Sequence, residues 1–120
     1  MSVKLFDSEL KVMEVLWDEG EVKASRIATV LGDKIGWNVN TTYTVIKKCI
    51  AKGAVERRDP GFICRALVTK EEVRADELTS LMEKLFDGSP KALAATLLSG
   101  KVLTKEEIAA LREFVNNEAD

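Results

Sequence analysis

The stretch Asn40-Thr41-Thr42-Tyr43-Thr44-Val45-Ile46-Lys47-Lys48-Cys49-Ile50-Ala51-Lys52-Gly53 decides how this chain folds. A 3.6-residue period places Thr42, Ile46, Cys49 and Ile50 on one side with Val45 at the border, which predicts an amphipathic helix ending at Lys52 and stopped by Gly53. The other side carries Asn40, Thr41, Tyr43, Thr44, Lys47 and Lys48. No Asp or Glu occurs from Val39 to Val55, although the whole chain holds 20 acids against 18 bases. A merely solvated face in so acidic a chain would carry some acids.

Upstream, Asp7 or Ser8 is placed to cap a helix with Leu10, Met13, Val15, Leu16 and Trp17 at mostly helical spacing, stopped by Gly20. Glu21 to Ala24 reads as a short strand. Ser25 then caps Arg26 to Leu31, with Ile27, Val30 and Leu31 on one face, ending near Gly32 or at Ile35. A tight linker of Gly36, Trp37 and Asn38 leads into the helix that starts at Asn40. Downstream, Ala54 to Arg58 and Phe62 to Val68 read as strands joined by the turn Asp59-Pro60-Gly61. Helix, short strand, helix, turn, helix, strand, turn, strand is the order of a winged helix-turn-helix. Trp17 belongs to the core stripe of the first helix, and Trp37 is expected as a lid on the core rather than a base-stacking group.

Two helices crossing at a steep angle bury one face each and leave the second one's outer face and N-terminus projecting, a shape that enters a DNA major groove about 12 Å wide. Asn40 suits a bidentate contact to adenine. Thr41 and Thr44 offer a hydroxyl or a methyl to base edges, and Tyr43 reaches a phosphate or a base edge. Lys47 and Lys48 would neutralise backbone charge. In the hairpin, Arg57, Arg58 and Arg65 are candidate wing contacts to phosphate; the alternative is ordinary charged strand residues offset by Glu56 and Asp59.

The remaining sequence is helical. Thr69-x-x-Glu72 is a capping box ahead of a helix bearing Val73, Leu78, Leu81, Met82, Leu85 and Phe86. Ser89-Pro90 starts a second helix, with Leu93, Ala94, Leu97 and Leu98. Thr104-x-x-Glu107 opens a third, with Ile108, Leu111, Phe114 and Val115. Three short amphipathic helices do not easily cover their own apolar faces, and sharing them across a two-fold axis does. The expected architecture is therefore mostly α with a small β-hairpin: a winged-helix DNA-binding domain over 1–69 and a helical dimerisation domain over 70–120. The alternative is a tail folded back on a monomer.

Charge follows the same division. Residues 1–70 carry a net charge of +3 and residues 71–120 a net charge of −5, as suits a reader of nucleic acid joined to an oligomerisation arm. With no His and only Cys49 and Cys64, both in apolar runs, the chain lacks a Ser/His or Cys/His catalytic unit and a four-ligand metal set. The two thiols read as buried core residues. Glu71, Glu72, Glu106 and Glu107 fall in first turns of helices, where the helix dipole accounts for them. The residues point to no enzyme, no metal, no cofactor and no small-molecule ligand. No apolar run nears the ~20 residues of a membrane span, and Met1 to Leu10 has no signal-peptide core, so a cytoplasmic protein is expected.

These residues resemble the penicillinase-repressor family, the BlaI/MecI/CopY group of bacterial winged-helix repressors, over nearly the whole chain. Glu9 to Trp17 is similar to the family's opening helix. Trp37, Thr41, Thr44, Ile46, Lys48 and Lys52-Gly53 are similar to its W-x-x-x-T-x-x-T-x-[IL]-x-[RK] stretch and later K-G. The resemblance implies a cytoplasmic homodimer that blocks transcription from a palindromic operator, with Asn40, Thr41, Tyr43 and Thr44 facing the groove. At Tyr43 the family commonly has Arg or Lys. Its antibiotic-responsive branch is cleaved at an Asn-Phe bond where this chain reads Thr96-Leu97, and its copper-responsive branch has a cysteine motif where this chain has no cysteine after Cys64. A winged helix used as a protein-interaction module is the alternative from another functional class.

Overall fold

The first helix, α1 (Asp7–Glu19), begins without a side-chain oxygen at its N-cap, because the capping residue is Phe6. Its backbone is satisfied from the other end: Phe6 N donates to Glu9 Oε1 at 2.8 Å. Asp7 and Ser8, expected as caps, instead occupy the first turn, where the charge of Asp7 suits the dipole. This is a computed structural model of the chain, and it describes residues 3–118. Residues 1–2, which start the Met1 to Leu10 stretch and the first expected domain, and residues 119–120, which end the second, lie outside the described residues.

After the two-residue strand β1 (Val22–Lys23), α2 spans Ala24–Ile35. It starts before Ser25, which therefore lies inside the first turn, and its N-cap Lys23 makes no side-chain cap. It continues to Ile35 because Gly36, at φ +73°, takes the left-handed conformation and donates its N–H to Gly32 O. The next helix, α3 (Val39–Ala51), is capped by Asn38, whose Oδ1 accepts from Thr41 N at 2.8 Å; Asn40 lies within the first turn rather than at its start.

The strands β2 (Val55–Arg58) and β3 (Ile63–Ala66) are shorter than the sequence suggests, and β1 adds to the hairpin's free edge. The sheet order is β1-β3-β2, antiparallel throughout, with Val22 opposite Cys64 and Arg57 opposite Cys64 on the other side. Val12, Met13, Ile27, Ile46, Cys49, Val55 and Cys64 are fully buried between α1, α2, α3 and the sheet. Trp17 is half-buried against this core and donates Nε1–H to Val68 O at 2.9 Å, while Trp37 packs on it as a half-buried lid.

The chain divides into two units, Met1–Asp76 and Glu77–Asp120. The division falls seven residues after the 69/70 boundary read from the sequence, because Val73 of α4 (Lys70–Leu85) is buried in the first unit's core. The second unit holds the rest of α4, α5 (Pro90–Leu97) and α6 (Lys105–Glu118). Its caps match the sequence: Ser89 Oγ accepts from Ala92 N, and Thr104 and Glu107 satisfy each other's backbone N–H groups. From Glu77 to Glu118 not one described residue is buried. A groove of about 340 Å³ runs between α5 and α6, lined by Ala94, Leu97, Leu98, Leu111 and Val115 with Arg112 and Asn116.

Candidate nucleic-acid interface

The α3 helix buries Thr42, Val45, Ile46 and Cys49, which turns Asn40, Thr41, Thr44, Lys47 and Lys48 to solvent. Val45, expected at the border, is in the core, and Ile50, expected inside, is half-buried. Thr44 Oγ1 donates back to Asn40 O at 2.9 Å, a bond that Thr29 and Thr96 also make on their own helices and one that an incoming acceptor can replace. Among the described residues neither Lys47 nor Lys48 forms an ion pair, so the middle of the face has two uncompensated cations.

Tyr43 departs from expectation. Its ring is half-buried and meets Phe62 of the hairpin edge-on, with centroids 5.6 Å apart at 71°. An aromatic side chain at this border position gains more from packing on another ring than from full exposure. Tyr43 thus links α3 to the wing, a contact that helical periodicity does not disclose because its partner comes from another element.

The wing arginines are all exposed, and each has an acidic neighbour: Arg57 with Asp59 at 3.1 Å, Arg65 with Glu56 at 3.1 Å, and Arg58 with Glu21. Exposed pairs of this kind are worth little, and they leave the arginines able to exchange partners. The wing is therefore a set of partly neutralised cations beside the free lysines of α3.

At its far end α3 is tied down by a contact absent from the sequence reading. Lys52 donates its ammonium to Glu9 Oε1 at 2.5 Å and to Lys4 O at 2.7 Å, and sits 4.0 Å from the centroid of the Phe6 ring. Burial pushes the Glu9 carboxyl up, but the hydrogen bonds from Lys52 and Phe6 and the charges of Lys52 and Lys48 outweigh it and hold the group below the ordinary carboxylate value. Burial, followed by the Glu9 charge, pushes the Cys49 thiol up to about 12, and burial also raises Cys64. Both are core thiols without nucleophilic character. Among the described residues no cluster of three or more His, Cys, Asp or Glu is arranged to hold a metal, and no helix is long and apolar enough to cross a membrane.

A sequence profile of the family described as "Penicillinase repressor" matches residues 5–117. The chain belongs to that family. The penicillinase repressor of Bacillus licheniformis is 22% identical over 114 residues, covering 93% of this chain and 89% of that protein. The methicillin resistance regulatory protein MecI of Staphylococcus aureus (strain N315) is 22% identical over 115 residues, covering 94% of each. Among solved structures, the DNA-binding domain of the repressor BlaI superposes with a TM-score of 0.53 at 24% identity, covering 57% of this chain and 87% of that one. Monomeric Bacillus licheniformis BlaI in complex with the blaP half-operator gives a TM-score of 0.51 with the same coverage and identity. The first unit thus has the fold of a penicillinase-repressor winged helix, and the chain is similar to proteins that are repressors rather than enzymes.

Proposed function

We propose that this chain is a DNA-binding transcriptional repressor that acts in the cytoplasm as a homodimer on a palindromic operator. The observation that carries the reading is the exposed, acid-free side of α3, with Asn40, Thr41 and Thr44 beside the unpaired Lys47 and Lys48. Residues 1–69 form the DNA-binding domain, α3 entering the major groove and Arg57, Arg58 and Arg65 flanking it along the backbone. Membership of the repressor family and the half-operator complex of the BlaI neighbour support the same assignment.

Residues 70–120 are the dimerisation domain in this reading. What supports it is the second unit's lack of any buried described residue, with Leu78, Leu81, Leu85, Leu98, Leu111, Phe114 and Val115 exposed and Met82, Phe86, Leu93, Leu97 and Ile108 half-buried. Each large apolar side chain brought out of water contributes about 1.5–3 kcal/mol, and a second copy is the partner that two-fold symmetry supplies. A dimer would place the two α3 helices for half-sites about 34 Å apart or slightly more.

A gel-shift titration with the DNA upstream of the chain's own gene tests the function. A complex is expected at low salt, falling steeply in affinity as salt rises because phosphate contacts release counterions. Absence of any complex at low salt removes the repressor assignment and leaves the winged helix as a protein-interaction module.

A further inference from the structure

The wing turn holds a bulky residue where backbone sterics disfavour one. Phe62 has φ +51°, in the left-handed region that large side chains rarely occupy, and such outliers persist where their surroundings over-determine them. Two hydrogen bonds do so here: Phe62 N donates to Asp59 Oδ1 at 3.3 Å, and Phe62 O accepts from Ala24 N at 2.9 Å. The ring is thereby set between two partners. Tyr43 of α3 touches it edge-on, and the Arg57 guanidinium carbon lies 3.6 Å from its centroid. Arg57 Nε donates to both oxygens of Asp59, at 3.3 and 3.1 Å, while its two terminal nitrogens make no hydrogen bond among the described residues.

We propose that Phe62 is a positioning residue for DNA binding, which fixes the Arg57 guanidinium against α3 so that its terminal nitrogens meet a backbone phosphate already oriented. The proposal rests on α3 and the hairpin being the DNA-facing surface. A guanidinium stacked on a ring and held at Nε has little rotamer freedom left to lose on binding. Its free terminal nitrogens are still a planar pair of donors that matches phosphate oxygens. Tyr43 holds the ring from the α3 side, so the wing cation and the groove-facing residues move as one body. The left-handed backbone at Phe62 is part of the device, because it puts the ring where both partners reach it.

Phosphate contacts are independent of sequence, so the test uses a random duplex of about 30 base pairs, long enough for two half-sites. Affinity is measured against salt for the parent chain, Arg57→Gln, Phe62→Asn, Phe62→Leu, Phe62→Tyr and the double variant of Arg57→Gln with Phe62→Asn, with circular-dichroism melting as the control for folding. Asn tolerates the left-handed backbone, so the turn is retained. Arg57→Gln is expected to weaken binding about tenfold, as losing one charge-assisted contact does, and to lower the salt slope by about one. Phe62→Asn and Phe62→Leu do the same, the double variant loses no more than either single change, and Phe62→Tyr, which keeps the ring, retains both affinity and slope. Additive losses, a slope unchanged in Phe62→Asn, or a loss in Phe62→Tyr overturns the proposal. If the parent chain binds no duplex at low salt, the DNA-binding assignment itself fails, an outcome distinct from these.

Discussion

Glu9 is 2% exposed yet charged, and its Lys52 partner comes from the C-terminal end of α3. Removing that partner leaves a buried carboxylate with too few donors, so Lys52→Met is expected to cost about 2–3 kcal/mol in urea unfolding at neutral pH. The sign with pH follows from the lowered folded-state value of Glu9: its contribution is complete above the unfolded carboxylate pKa of about 4.3 and is lost as pH falls through the lower folded value. Unfolding curves from pH 6 down to the acid limit should show that loss in the parent chain and a smaller one in Lys52→Met. On the exposed face, Lys48→Ala should weaken binding to every duplex and lower the salt slope by about one, whereas Asn40→Ala should also relax sequence preference in a competition assay. The outer face of α3 was legible because the helical period alone separates Lys47 and Lys48 from Ile46 and Cys49. Glu9 and Tyr43 were not, because a glutamate in a first turn and a tyrosine on a polar face acquire their partners only when distant elements pack.

Helix ends determine where α3 points. Gly36 ends α2 at φ +73° with open space where a Cβ would be, so the backbone conformation alone resists substitution. Gly36→Ala is therefore expected to lower stability by about 1 kcal/mol, read as a reduced midpoint in urea. Element order and type could be read from sequence because Gly20, Gly53, Thr69, Ser89 and Thr104 act through local backbone chemistry. The starts of α1 and α2 could not be read so well. Phe6 and Lys23 cap them without a side-chain acceptor, one relying on Glu9 three residues on and the other on a strand that runs straight into the helix. Strand ends retreated for a related reason: pairing length is set by register with β1 and β2, not by the extent of apolar residues.

As a molecule the chain combines a unit with a buried apolar core and a unit without a buried residue among those described, and the apolar stripes of α4, α5 and α6 were visible in sequence where their partner was not. Phe114, 61% exposed on α6, tests the proposed sharing of those stripes. Phe114→Asp is expected to shift the protein from dimer to monomer in sedimentation velocity and to weaken operator binding, while the melting of the first unit stays unchanged. If the parent chain sediments as a single subunit at high concentration, the dimerisation domain is not one.

The bare helices beyond Asp76 have a consequence for the cell. In the dimer reading, a segment that stays folded only with a twin obeys mass action, so at low abundance the paired form scales with the square of copy number. Halving synthesis then leaves about a quarter as many operator-competent pairs. Dilution by growth after synthesis falls would loosen repression out of proportion to the protein lost, with no inducer required.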